Sequence, residues 1–118
     1  MDRRTALVAL AKGDIFHAMT PNGASFICLV TSVANSQICA RRVTTQEQLA
    51  FDRVAGIADV GDGSVACTID SVAPLPVDIR EVVLQLDRRY GAGDDPRLRR
   101  EEIDALLFVG RFYQAHRL

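Results

Sequence analysis

Residues 13–53 read GDIFHAMTPNGASFICLVTSVANSQICARRVTTQEQLAFDR, a run of short strand-like segments joined by tight turns. At residues 20–23, Thr-Pro-Asn-Gly, the proline presets φ at the first corner. Asn or Gly tolerates the left-handed conformation after it, so the stretch predicts a hairpin. One strand precedes that turn, over 14–19. The next, over 24–33, holds Phe26, Ile27, Cys28, Leu29 and Val30 in succession. Both of its faces are apolar, which puts it mid-sheet with cover on each side. Ala34, Asn35 and Ser36 then turn the chain into a third strand over 37–43.

Two readings compete after Val43. Thr44-Thr45-Gln46-Glu47 fits a helix capping box. Residues 49–54 alternate like a strand, and Gly56, Gly61 and Gly63 would cut a helix short. The spacing therefore predicts a turn over 44–48 and a fourth strand over 49–54. A fifth, over 65–71, sets Val65, Cys67 and Ile69 against Ala66, Thr68 and Asp70 in a half-buried pattern. Residues 4–11 form a short helix or an extra strand, because Leu7, Val8 and Leu10 fit neither period.

Pro74 and Pro76 end the strand region, since proline cannot donate to a ladder. From there the period changes. Ile79, Val82, Val83 and Leu86 stand at helical spacing, with Asp78 at the start and Arg88, Arg89 and Gly91 at the stop. Asp95-Pro96 reads as a cap and first residue of a second helix running to about His116. In that helix Ile103, Leu106, Leu107, Gly110 and Tyr113 line one stripe, widened by Leu98, Ala105, Phe108, Val109 and Phe112. That is more apolar surface than one sheet face needs. It predicts packing on the first helix and the barrel, or else in a dimer, with Gly110 admitting a close backbone.

The expected fold is α+β and a single domain: a small five-stranded antiparallel barrel, SH3-like or OB-like, over 13–73, followed by an αα-hairpin over 77–116. The 118 residues suit one domain, and a hydrophobic fraction of 48% supports a core without staples. Net charge of -1 gives no long-range pull on nucleic acid or an anionic membrane. No stretch reaches membrane-spanning length. The three cysteines, Cys28, Cys39 and Cys67, form no C-x-x-C, and the apolar run over 6–11 reads as too short for a secretory leader. Reduced thiols in the cytoplasm are expected, with Cys39 the one nearest a basic residue.

The candidate binding residues are Arg41, Arg42, Phe51 and Arg53. If Val43 pairs with Leu49, Arg41 lies opposite Phe51 and stacks on it, and Arg42 reaches Asp52 diagonally. Such a basic, aromatic sheet face holds a nucleic-acid backbone; the competing reading is a solvated face with surface ion pairs. Around Asp59 and Asp62 a plain turn is expected rather than a calcium loop. Asp94 and Asp95 suit a cap better than catalysis. Arg97, Arg99 and Arg100 open the last helix, with Glu101, Glu102 or Asp94 to offset them. His17 has no acidic or cysteine neighbour at ligand spacing, so no metal role is expected, and no G-x-S-x-G elbow occurs. A small hydrolase would need His17 or carboxylates clustered beside a pocket.

Gly13-Asp14-Ile15-Phe16 resembles the first strand of plasmid-maintenance toxin endoribonucleases, which have an SH3-like barrel. Those toxins follow that strand with a basic loop. Here residues 17–40 hold no arginine or lysine, and no catalytic role is carried across. The function expected is that of a non-catalytic cytoplasmic module, without cofactor, binding a protein partner or a second copy through its last helix. The alternative is nucleic-acid binding through the four residues above.

Overall fold

The computed structural model describes residues 2–60, 65–93 and 97–118. The chain runs α1 (Arg3–Ala9), β1 (Ile15–Met19), β2 (Ser25–Val33), β3 (Gln37–Arg42), β4 (Gln48–Asp52), β5 (Ile57–Val60), β6 (Val65–Ser71), α2 (Val77–Gly91) and α3 (Arg100–Ala115). The strands form one antiparallel sheet in the order β4-β3-β2-β1-β6-β5. Sequential hairpins build it, and the β1–β6 pairing curls it into a nearly closed barrel.

The expected strands are present, with one addition. The segment 57–60 is a sixth strand rather than a loop. Gly56 before it turns at φ +71°, and a Cβ there would meet the Arg3 guanidinium at 2.6 Å. In the first hairpin the left-handed position falls on Gly23, at φ +90°, and the Gly23 amide donates to the Thr20 carbonyl at 3.0 Å. At 44–47 the turn prevails over the capping box. Gln46 adopts φ +63°, and its side-chain amide donates to Val43 O and to Asp87, each at 2.9 Å, which offsets the backbone strain.

Two cores follow from the two faces of β1 and β2. Inside the barrel lie Phe16, Phe26, Cys28, Val30, Ile38, Phe51 and Ile69, with Leu7 and Leu10 of the α1 segment packed among them. Arg3 ties α1 down by donating to the carbonyls of Ile69 (2.5 Å) and Ala55 (2.7 Å). Outside, Ile15 and Leu29 meet Val83 and Leu86 of α2 and Val109 and Tyr113 of α3. The residues 26–30 are thus covered on both sides, as their unbroken apolar run requires.

Charged groups fasten the helices. Arg41 on β3 donates twice to Asp87 on α2, at 2.9 and 2.7 Å. Burial pushes the Asp87 carboxyl up, but bonds from Arg41 and Gln46 outweigh it and hold the group below its usual range. On α3, Glu102 accepts from Arg89 at 2.5 Å and from the Arg99 amide at 2.7 Å. The Arg89 bond is the main cause of its lowered pKa.

Three expectations need correction. First, α3 begins at Arg100 with Arg99 as its cap, not at Pro96; Asp94, Asp95 and Pro96 lie outside the described residues, as do Gly61, Asp62 and Gly63. Second, its buried stripe is Glu102, Ala105, Val109 and Tyr113. Ile103 and Leu107 point outward because the Arg89 partnership draws the charged Glu102 inward. Third, among the described residues nothing comes within 4 Å of a Cβ placed on Gly110, so none of their backbone uses that site.

Candidate functional site

The four arginine-face residues do not share one surface. β3 pairs with β4 through Ala40↔Leu49 and Ile38↔Phe51, three residues from the expected register. An odd shift exchanges the faces. Phe51 therefore points into the barrel, fully buried, with its ring edge-on to Phe16 at 5.2 Å. Arg41 faces α2 and pairs with Asp87. Arg42 stacks over the Phe26 ring at 4.0 Å instead of reaching Asp52. Arg53 lies beyond the end of β4 and donates to the carbonyls of Ala34 (2.7 Å) and Val8 (2.9 Å). Each side chain is engaged by its own chain.

Cys28 and Cys67 are buried and Cys39 is partly so. Burial pushes the Cys28 and Cys67 thiols up, away from the thiolate form that reacts. Among the described residues no histidine, cysteine and carboxylate group clusters as metal ligands.

A different constellation does form. Between β1, β6 and α3 lies a cleft of about 350 Å³ with His17 and Asp70 among its lining residues. His17 Nδ1 donates to Asp70 Oδ1 at 2.5 Å. The register explains the meeting. His17 pairs with Ser71 and Ala18 with Ile69, so the pairing skips Asp70. This bulge turns Asp70 out of the ladder and toward the imidazole. With Asp70 accepting, Nδ1 carries the proton, and no described residue bonds Nε2. Tyr113 stacks on the other side of the ring at 5.5 Å. Its hydroxyl is pushed up by burial, so it stays neutral.

The cleft has an apolar wall of Met19, Leu106 and Leu107 and a polar rim of Ser25, Arg111, Gln114 and Arg117. Arg117 Nε lies 3.8 Å from Asp70 Oδ2. The Leu118 amide, donating to Asp70 O at 2.8 Å, holds the end of the chain beside the site. This is the combination of apolar walls and a few convergent polar groups that small-ligand sites use. Sequence spacing missed Asp70 because it is 53 positions from His17 and reaches it only through the β1–β6 pairing.

Next to the cleft, α3 leaves Ile103, Leu107 and Phe108 exposed at 41%, 58% and 38%. These are large apolar side chains on a helix whose opposite face is already packed.

No family model, curated protein or solved structure matches this chain. Among the described residues, no helix is long and apolar enough to cross a membrane.

Proposed function

We propose that the protein is a small, non-catalytic β-barrel module that self-associates through α3. The exposed Ile103, Leu107 and Phe108 carry this reading: an apolar group gathered on one helix marks an interaction surface, whereas single exposed apolar residues do not. The charge pattern supports a second copy as the occupant. The first half of α3 holds Glu101 and Asp104, with Arg100 3.7 Å from Asp104 in the same chain, and the second half holds Arg111. Asp104 and Arg111 stand two turns apart on one side of the helix. A two-fold axis between residues 107 and 108 sets the copies antiparallel and brings each Asp104 to the other copy's Arg111. The open space at Gly110 lets the helices approach closely.

Ile103→Asp is expected to weaken association by about 100-fold or more, since it buries a carboxylate in the apolar centre. Asp104→Arg and Arg111→Asp are each expected to weaken it, and the double exchange to restore it. Analytical ultracentrifugation of the four variants reads this directly. Failure of the double exchange to recover the dimer counts against the antiparallel arrangement.

The meander order supports the SH3-like over the OB-like barrel. The unpaired cysteines support a reducing, cytoplasmic location. Nucleic-acid binding through Arg41, Arg42, Phe51 and Arg53 is the alternative, and the internal partners of all four weigh against it. A generic oligonucleotide is expected not to bind even at low salt, where phosphate contacts are strongest; salt-sensitive binding lost in Arg42→Ala would reinstate it.

A further inference from the structure

We propose that the cleft between β1, β6 and α3, part of whose lining (Leu107, Gly110, Arg111) is shared with the self-association face, binds a small phosphate monoester. A bulge aims Asp70 at His17. A β-bulge at this position interrupts the β1–β6 ladder, and its effect is to fix one imidazole with a defined nitrogen left over. The carboxylate fixes the ring through Nδ1 and leaves Nε2 without a bond from any described residue. Arg117 adds a permanent cation, and its guanidinium has donors beyond the long 3.8 Å contact to Asp70. Ser25 and Gln114 supply neutral donors on the same rim.

Ser25, Gln114 and Arg117 bring donors from β2 and from the end of α3, so they meet a ligand from two sides. A carboxylate offers two oxygens to such a ring of donors, and a phosphate monoester offers three. The apolar wall of Met19, Leu106 and Leu107 takes the group esterified to the phosphate. The volume, about 350 Å³, is at the small end for ligand sites, which suits a compact ester rather than a dinucleotide or a polymer.

Phenyl phosphate is the probe. Titrated into the full chain and followed by amide and imidazole NMR, it is expected to give saturable shifts at His17, Ser25, Gly110 and Gln114. Inorganic phosphate, lacking the apolar group, and benzoate, lacking the third oxygen, are each expected to bind about tenfold more weakly. Arg117→Ala, at a half-exposed side chain whose loss leaves the core intact, is expected to cost at least about tenfold in affinity. The Ile103→Asp chain is titrated alongside, because Ile103 does not line the cleft. Binding retained in that monomeric chain shows that the cleft of a single copy suffices, so this test does not depend on self-association. No saturable shift with phenyl phosphate in the unaltered chain overturns the proposal, as does an affinity unchanged by Arg117→Ala.

Discussion

Phe51→Ala is expected to lower the unfolding free energy by about 3–5 kcal/mol, the range for emptying a buried aromatic site. Phe51 is 0% exposed and its partner Phe16 likewise. Their edge-to-face contact is lost together with the buried area. Phe51 also sits at the Ile38 pairing that sets the β3–β4 register, where strand residues flank the cavity and limit its collapse. Urea unfolding followed by circular dichroism measures the change. A loss under about 1 kcal/mol would place Phe51 at the surface, as the alternative register requires.

Asp87→Ala is expected to cost about 3 kcal/mol, the low end for removing one partner of a buried ion pair. The low end applies because the Arg41 side chain keeps 32% of its surface in water while Asp87 keeps 5%. The change leaves the Arg41 guanidinium without its bidentate acceptor and frees the left-handed Gln46 from its anchor on α2. The pH dependence follows from the direction of the shift. Asp87 and Glu102 are both held below their unfolded values. Their contribution is therefore complete above the unfolded carboxyl range, about pH 4, and is lost as pH falls through the lower folded values. Stability is expected to be level from neutrality down to about pH 5 and to drop below about pH 4. The drop should be shallower in Asp87→Ala.

Much of the fold was legible because local signals agreed. The apolar run 26–30 demanded cover on both faces, and the sheet and the helices supply it. The Pro-Asn-Gly turn and the change of period after Pro76 appear where they were read. β5 was not legible: four residues flanked in the sequence by Gly56 and Gly61 carry too little alternation to separate a strand from a loop. The phase of α3 was misread for another reason. Apolar residues cover so much of its circumference that periodicity cannot choose a face, and the deciding residue, Glu102, is charged. Its burial depends on Arg89, a partner on another helix.

The candidate site was legible only in part. His17 was noted as one of two histidines, but its carboxylate lies on a strand far along the chain and reaches it through a bulge. Bulges depend on how two strands pair, which single-strand patterns do not encode. The arginine face failed on register. A slip of three residues carried Phe51 from the outer surface to the core, and with it the stacking platform the face required.

Self-association through α3 is tested most directly by sedimentation equilibrium of the unaltered chain at micromolar concentration. The exposed Ile103, Leu107 and Phe108, with the opposed charges of Asp104 and Arg111, predict twice the chain's mass, falling to the single-chain mass in Ile103→Asp. A single-chain mass for the unaltered protein over the whole concentration range would contradict the account.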